Sequence, residues 1–331
     1  MPVINSSKTD PNKILPMSYL WARKYYKDGI ANNWTPEEVS MQKDVEQWKS
    51  PKVLSEAERK LILWNLGFFS TAESLTANNI VLAVYRNVTN PECRQYMLRQ
   101  AYEEATHTDT FIYCCDTLGL DPDTIYNMYN TIPCIKEKDD FVVELTKSIF
   151  DPAFSTDGDE NIRRFMHDLV GYYVIMEGIF FYAGFAMMLA LKRQNKMVGI
   201  GEQFEYIMRD ESLHLAYGCD LINTIKAENP SVWNDKFQKN IVELIRKAVD
   251  LEKKYAYEAC PDGIVGIRSD QFAAYVEYIA DRRLERIGLP KMFGTENPFP
   301  WMSQSVDLSK EKNFFETRVT EYQTGGSLKW D

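Results

Sequence analysis

The sequence predicts a nearly all-helical protein, and three observations support this fold class. Helical spacing of apolar residues dominates from about residue 55 to residue 290. The stretch Ser55-Glu-Ala-Glu58, where this region begins, has the S-x-x-E form of a capping box, which is typical of a helix N-terminus. Alternating strand patterns bounded by tight turns are almost absent. We therefore expect helices packed on helices.

The length of the chain favours one large domain between two less regular ends. Its 331 residues are 45% hydrophobic and 26% charged, which is enough to bury a large core. No Pro/Gly/Ser-rich linker divides it. We predict an N-terminal arm over residues 1–54, which carries a helix and Trp34, a helical domain over residues 55–304, and a flexible tail over residues 305–331.

Charge and cysteine content narrow the class of protein. The formal net charge is −10 and there is no block of Lys or Arg, so a nucleic-acid partner is not expected. The six cysteines are scattered without a C-x-x-C pair, and the N-terminal stretch has no apolar signal core. These features predict reduced thiols and a cytoplasmic protein.

One apolar run, Leu169 to Leu191, contains a single charged residue, Glu177. By length alone this run could span a bilayer. A helix at the centre of a large bundle is also apolar on all sides, and no second such run accompanies this one. A lone carboxylate needs a partner in either setting. We predict no membrane segment and an inward-facing ligand at Glu177.

A layout of glutamate and histidine occurs twice: a lone glutamate is followed, 31 or 34 residues later, by a Glu-x-x-His unit. The two sets are Glu73 with Glu104 and His107, and Glu177 with Glu211 and His214. At about 1.5 Å per residue, such a spacing covers a helix, a turn and the return along a neighbouring helix. Each set therefore predicts a helical hairpin. Two packed hairpins would form a four-helix bundle with these side chains converging inside.

This set of side chains is the known ligand arrangement of di-iron and di-manganese carboxylate proteins. Residues three apart on a helix point to nearly the same side. Oxygen-rich ligation with one imidazole per metal suits iron or manganese, whereas structural zinc prefers Cys and His. The assignment that we favour has Glu104 and Glu211 as bridges, Glu73 and His107 on one metal, and Glu177 and His214 on the other.

Whether a Glu-x-x-His unit indicates a metal site depends on whether a second such unit accompanies it. A single Glu-x-x-His is usually a salt-bridging surface turn, but two matched units in a chain with three histidines favour a metal site. The third histidine, His167, stands beside Asp168 outside both units and is expected to be satisfied or exposed. Phe111 lies one turn after His107 and should face the same interior. Core packing is the commoner role of such a ring.

The sequence resembles the small, radical-generating subunit of class I ribonucleotide reductase over nearly its whole length. The matching stretches are collinear: ANNWTPEEV at residues 31–39, the metal motifs, RDESLH at residues 209–214, DRRLERIGL, NPFPWM, KNFFETRVTEYQ and the extreme C-terminus. The resemblance implies a ferritin-like bundle with a four-helix dimetal-carboxylate core plus additional helices. It also implies a homodimer that works with a large catalytic subunit.

The residue at position 111 points to one subclass of that family. Most members carry a radical tyrosine one turn after the first motif's histidine, where this chain has Phe111. The sequence therefore resembles subclass Ic, whose manganese/iron cluster reacts with O2 and holds the oxidising equivalent on manganese. Glu73 agrees, because many conventional members have aspartate there. The resemblance implies manganese in the site of Glu73, Glu104 and His107 and iron in the other, with a di-iron cluster as the alternative.

The resemblance also implies a route by which the oxidising equivalent leaves. Trp34 in ANNW and Asp210 match the family's transfer chain from His107, and Asp210 would orient that imidazole. From residue type alone, Trp34 would be an anchoring aromatic and Asp210 an ordinary helical charge. Tyr206, one turn before Asp210, would either assist electron entry during cluster assembly or pack in the core.

The C-terminal tail is predicted to reach the large subunit. Tyr322 in TEYQ matches the tail tyrosine that relays the oxidising equivalent across the subunit interface. The stretch TEYQTGGSLKWD has two glycines and no helical period, so it should be mobile when unbound. Leu328 and Trp330 offer apolar anchors that would order on a partner groove.

Two other functions are compatible with such a bundle. One is an oxidase or oxygenase that acts on its own small substrate, and the other is a ferritin-like metal-storage protein. Neither would need a relay tyrosine in a docking tail. The sequence therefore favours the reductase subunit.

Overall fold

A computed structural model describes residues 2–6, 14–264 and 266–302, which are helical almost throughout. Within these ranges there is no β-strand, and the strand-like contacts are single bridges between Ile4 and Val88 and between Ile264 and Ile267. The α-helices, numbered α1 to α13 in chain order, are Leu20–Ala31, Gln42–Lys49, Glu56–Asn79, Tyr85–Asn87, Pro91–Leu118, Pro122–Ile125, Met128–Thr131, Pro133–Thr146, Asp159–Leu169, Tyr182–Arg193, Val198–Glu228, Asp235–Ala259 and Ser269–Arg286. The predicted all-helical fold is confirmed.

In the described ranges, five helical segments of other types join these elements. Three are 3₁₀-helices, at Pro36–Glu38, Lys147–Phe150 and Pro230–Val232. Two are π-helices, at Ile80–Val84 and Val170–Phe180, and each continues directly from the α-helix before it. π-Helical turns are rare and occur frequently at functional sites.

Helix α3 begins at the predicted capping box. The Ser55 hydroxyl accepts a hydrogen bond from the backbone N–H of Glu58 (3.2 Å), and the Glu58 carboxylate accepts one from the backbone N–H of Ser55 (2.8 Å). Lys196 pairs with the other Glu58 oxygen at 2.6 Å. These bonds satisfy N–H groups that a helix start otherwise leaves without partners, and so fix where α3 begins.

Two helical hairpins form the core, as the spacing of the glutamates predicts. In the first, α3 packs along α5. In the second, the π-helix Val170–Phe180 and α10 pack along α11. Helix α5 begins after Asn90, whose side chain accepts hydrogen bonds from the backbone N–H groups of Glu92 and Cys93, both at 3.0 Å. Helix α5 also contacts α11, and this contact joins the two hairpins.

The apolar run Leu169 to Leu191 is the central helix of this bundle. Every residue in it is buried. Asp159–Arg193 is the one described helical stretch long and apolar enough to cross a membrane by composition, but its most apolar window lies wholly inside the protein. Helices α8, α11, α12 and α13 pack around the π-helix in this run. Burial by protein therefore explains its composition.

The remaining elements cover the core. Helices α1 and α2, within the predicted N-terminal arm, pack against α5 and α11. All six cysteines lie in the described ranges, and they are buried and form no disulfide. The boundaries at residues 54 and 304 stay predictions. The predicted tail, residues 305–331, lies outside the described residues.

Candidate metal centre

The structure brings the side chains of both predicted sets into one fully buried cluster between four helices. Their positions are Glu73 on α3, Glu104 and His107 on α5, Glu177 on the π-helix Val170–Phe180, and Glu211 and His214 on α11. They form two groups of four, in each of which the candidate ligand atoms lie within 4.8 Å of one another. Glu104 and Glu211 belong to both groups.

The two shared carboxylates have the geometry that bridging ligands need. Glu104 places Oε2 at 3.7 Å from His107 Nδ1 and Oε1 at 3.2 Å from His214 Nδ1. Glu211 Oε1 lies 3.2 Å from His107 Nδ1 and 3.4 Å from His214 Nδ1. Each of these carboxylates therefore faces both imidazoles. The arrangement agrees with the bridging assignment, which stays a prediction.

Several polar atoms of the cluster lack a hydrogen-bond partner. Such atoms indicate whether the cluster is suited to hold cations. In the described part of the chain, the buried candidate ligand atoms without a hydrogen-bond partner include Glu73 Oε1, Glu104 Oε1, Glu177 Oε2, both Glu211 oxygens and His214 Nδ1. A buried carboxylate oxygen without a partner is costly. Cations at the centre would satisfy these atoms together. The donor set of oxygens with one imidazole per group suits iron or manganese.

The pKa shifts of these groups reflect the same concentration of buried charge. Burial raises the pKa of Glu73 and of Glu177 well above the usual value for a glutamate. Burial would lower the pKa of both histidines, but the charge of Glu73 beside His107, and of Glu211 beside His214, raises each pKa well above its ordinary value. Raised pKa values favour protons on these groups, and a metal ion that binds them competes with those protons.

On the far side of His107, a buried hydrogen-bonded chain leads away from the cluster. Asp210 Oδ2 accepts from His107 Nε2 at 3.3 Å and from Trp34 Nε1 at 2.7 Å. Arg209 Nε donates to the other Asp210 oxygen at 3.2 Å. Burial would raise the pKa of Asp210, but the charge of Arg209 and these hydrogen bonds lower it, so Asp210 is an ionised acceptor. The structure therefore places Trp34, Asp210 and His107 in one hydrogen-bonded chain, and their role in transfer stays a prediction.

The corresponding partner of His214 is Glu103, which sequence reasoning missed. Glu103 Oε2 accepts from His214 Nε2 at 2.8 Å, and Arg99 Nε donates to Glu103 Oε1 at 3.0 Å. The Glu103 side chain is only 2% exposed. A signal for it exists, because each Glu-x-x-His unit is directly preceded by an acid, Glu103 in one and Asp210 in the other. Each of these acids holds the histidine of the opposite hairpin.

Two further residues that orient the carboxylates were also missed. Gln100 Nε2 donates to Glu177 Oε1 at 3.1 Å, and the Thr76 hydroxyl donates to Glu104 Oε2 at 3.0 Å. Gln100 stands four residues before Glu104 and Thr76 three residues after Glu73, so each lies one helical turn from a ligand. That spacing is the signal that could have indicated them.

Phe111 is fully buried among other phenyl rings. Its ring stacks on Phe69 with centroids 5.7 Å apart and meets Phe204 edge-on at 5.8 Å. Phe69 and Phe204 also contact each other and Phe185. The surroundings of position 111 are thus apolar rings. The sequence predicted burial here, and its meaning for the radical chemistry stays a prediction.

The remaining candidate residues occupy separate places. The Tyr206 ring lies 5.2 Å from that of Trp34. The side chain of His167 is 35% exposed and its Nδ1 lies 3.5 Å from Asp168, outside the cluster as expected. Tyr322 lies outside the described residues.

Four carboxylates and two imidazoles inside a helical bundle define a protein of the dinuclear metal-carboxylate class. Comparison with known families matches residues 11–298 to "Ribonucleotide reductase, small chain". The chain belongs to this family, so the resemblance is confirmed. Members of the family carry a dinuclear metal site, and the buried cluster corresponds to it.

Individual relatives agree with this family. The chain is similar to ribonucleoside-diphosphate reductase subunit beta of Chlamydia pneumoniae, with 58% identity over 99% of this chain and 94% of the relative. It is 31% identical to the human ribonucleoside-diphosphate reductase subunit M2, over 95% of this chain and 76% of the relative. Among solved structures, the R2 subunit of Clostridium botulinum superposes with a TM-score of 0.83 at 25% identity, over 92% of this chain and 94% of that one. These relatives are named as reductase subunits, which does not support the oxidase or storage alternatives.

Proposed function

We propose that this chain is the small subunit of a ribonucleoside-diphosphate reductase, which stores an oxidising equivalent at the buried cluster and passes it to a large catalytic subunit. The observation that carries this function is the shared Asp210 oxygen. It accepts hydrogen bonds from both His107 and Trp34, and so connects a ligand of the cluster to an aromatic ring that is 4% exposed. A protein that acted on its own small substrate would not need such a connection.

The residues of this chain prepare the site for two cations. When bound, a dinuclear manganese/iron centre supplies the reaction with O2 and the storage of one oxidising equivalent. Asp210 and Glu103 hold the imidazole rings so that Nδ1 of each faces the cluster. Gln100 and Thr76 hold one oxygen of a carboxylate each. The burial of the whole cluster excludes bulk water from the stored oxidant.

A direct test of the transfer route is the Asp210→Asn variant, assayed for nucleotide reduction with the large subunit. An asparagine amide keeps the shape of Asp210 but weakens the charge-assisted hydrogen bonds to His107 and Trp34. We expect the variant to lose most of its turnover even at metal concentrations high enough to fill both sites. Full turnover with normal metal content would contradict the proposed route.

The absence of a phenol at Phe111 supports a manganese/iron centre of the subclass Ic kind. Loading the metal-free protein with Mn(II), Fe(II) or both, followed by exposure to O2, tests this assignment. We expect the highest nucleotide reduction with both metals. Highest activity with iron alone would contradict it. Anomalous scattering at the two metal edges would then show whether manganese lies in the site of Glu73, Glu104 and His107.

The proposed partners are the large subunit and a second copy of this chain. The C-terminal tail is proposed to bind the large subunit, and the assembly is proposed to be cytoplasmic. The tail carries Tyr322 as the proposed relay and Leu328 and Trp330 as anchors. Deleting residues 318–331 should abolish nucleotide reduction with the large subunit while metal content stays normal. Turnover that survives the deletion would contradict both the docking and the relay roles.

A further inference from the structure

A second set of aromatic side chains leads from the other half of the cluster to the surface. Besides the Trp34 route, six tyrosines and one tryptophan form continuous ring contacts between the π-helix Val170–Phe180 and helix α1. In order from the cluster outwards they are Tyr172, Tyr173, Tyr217, Tyr96, Tyr25, Trp21 and Tyr19. We name this set the tyrosine row. Tyrosine and tryptophan are the side chains most readily oxidised by one electron among the aromatic residues.

The inner end of the row is hydrogen-bonded to a predicted metal ligand. The Tyr173 hydroxyl donates to Gln100 Oε1 at 3.0 Å. Gln100 Nε2 in turn donates to Glu177 Oε1 at 3.1 Å and to the Tyr172 hydroxyl at 3.2 Å. Tyr173 is therefore separated from Glu177 by a single amide group, and the Tyr172 hydroxyl also interacts with the Glu177 carboxylate itself. No residue of the Trp34 route takes part in these bonds.

From this end, each ring contacts the next. The centroids of Tyr173 and Tyr217 are 6.0 Å apart, and Tyr217 lies 5.7 Å from Trp21 and 5.9 Å from Tyr25. A glycine permits the first of these contacts, because a Cβ at Gly218 would lie 2.1 Å from the Tyr173 ring. Tyr217 is the ring through which the inner pair meets α1.

The proton acceptors at the outer end of the row differ from the acceptor of Tyr217 in its middle. The Tyr25 hydroxyl donates to the Asp220 carboxylate at 2.7 Å, and the Tyr19 hydroxyl donates to a carboxylate oxygen of Glu228. In contrast, the Tyr217 hydroxyl donates to the backbone carbonyl of Cys93. A phenol becomes strongly acidic when it loses an electron, and a carboxylate can take its proton, whereas a backbone carbonyl cannot. Tyr25 and Tyr19 are therefore easier to oxidise than Tyr217, which stands between them and the inner pair.

This difference gives the row a direction. An oxidising equivalent in the cluster would be stabilised by moving outwards, to the tyrosines whose protons have a carboxylate to go to. Burial raises the pKa of both outer phenols, so each holds its proton until it is oxidised. Tyr19, Trp21 and Tyr25 are only partly buried, which lets a solute approach the outer end.

We propose that the tyrosine row is a second electron route, by which a small one-electron reductant in solution reduces the oxidised centre when no large subunit draws on it. The reductant loses one electron and the centre gains one. Within the row, Tyr25 or Tyr19 passes its proton to Asp220 or Glu228 while oxidised and takes it back on reduction. This inference rests on the proposed function, because it needs an oxidised centre.

The test uses the full-length protein loaded with manganese and iron, oxidised by O2 and kept without the large subunit. Ascorbate is added without oxygen, and the loss of the oxidised centre is followed by its electron paramagnetic resonance signal. Tyr217→Phe should slow this loss about tenfold or more, as an added barrier of about 1.4 kcal/mol would do. Tyr96→Phe is the matched control, because its buried hydroxyl has no hydrogen-bond partner in the described structure and Tyr217 reaches α1 without it. It should change the rate less than about twofold.

If Tyr217→Phe does not fold, a double variant, Trp21→Phe with Tyr25→Phe, replaces both rings of α1 that Tyr217 contacts. We expect it to slow the loss to a similar extent. Loss at the wild-type rate in a folded, metal-loaded variant of either kind would overturn the inference. Nucleotide reduction by the wild-type protein with the large subunit is measured alongside. If that activity is absent, the proposed function fails. If it is present and the variants behave as wild type, only the second route fails.

Discussion

Replacing Glu103 by glutamine should weaken the half of the centre that contains His214 and leave the Trp34 route intact. In the structure the Glu103 carboxylate accepts from His214 Nε2 at 2.8 Å and from Arg99 Nε at 3.0 Å, with almost no exposure to solvent. A glutamine of the same size has one acceptor oxygen for these two donors. Either the imidazole loses its charged partner or Arg99 does.

The size of the effect follows from that loss. Residues that orient a metal-bound histidine typically contribute about 10-fold to 100-fold to metal affinity, which is about 1.4 to 2.7 kcal/mol. Glu103→Ala should cost more, because it leaves both donors without an acceptor, and an unsatisfied buried donor costs about 1–3 kcal/mol. We therefore expect Glu103→Gln to bind one metal normally and the other at least about tenfold more weakly.

Metal titration of the metal-free protein, with the occupancy of each site read from anomalous scattering, measures this difference. Asp210→Asn is the matched variant, because it changes the acid that holds His107 and should weaken the opposite site. The reasoning would be refuted if Glu103→Gln filled both sites with wild-type affinity. It would also be refuted if the occupancy fell on the Glu73 side.

Further predictions concern Phe111 and a buried ion pair remote from the centre. Phe111→Tyr should not raise nucleotide reduction, because the ring is packed against Phe69 and Phe204 and the oxidant is proposed to reside on metal; a large gain in turnover would show that a phenol had been limiting. Glu252 is fully buried, and its Oε2 lies 2.6 Å from Lys138 Nζ. Burial raises the pKa of Glu252 from 4.5 to about 7, although the charge of Lys138 acts to lower it. Since the folded protein binds this proton more tightly than the unfolded chain, the free energy of unfolding should fall as the pH rises from about 4.5 through about 7. Glu252→Gln should reduce that fall in urea titrations of the metal-free protein, and a pH dependence equal to the wild type would contradict the assignment.

The spacing of the ligands was sufficient to predict how the core helices pair. Separations of 31 and 34 residues fit a helix, a turn and a return, and the structure has α3 along α5 and the π-helix with α10 along α11. The apolar run around Glu177 likewise indicated a central helix. These features depend on contacts within one hairpin, which helical periodicity describes well.

The partners of the histidines could not be obtained in the same way. Glu103 meets His214 only because α5 packs against α11, and this register between hairpins is set by the whole core. Asp210 and Trp34 were identified through the family resemblance, since no spacing rule joins residues 34 and 210. The π-helical backbone around Glu177 has no sequence signal that we recognise. Contacts between hairpins are thus where the sequence alone was least informative.

The crossed arrangement of the two acids has a consequence for assembly. Asp210 on the second hairpin holds His107 of the first, and Glu103 on the first holds His214 of the second. Neither histidine is oriented until both hairpins have packed, so metal affinity and hairpin packing are coupled. The two acids differ in what lies beyond them, because Asp210 continues to the Trp34 ring whereas Glu103 continues to Arg99 and from there to the Asn33 amide. The two candidate metal sites therefore have different connections through these acids, and we take this asymmetry to favour the proposed release of the oxidising equivalent on the His107 side.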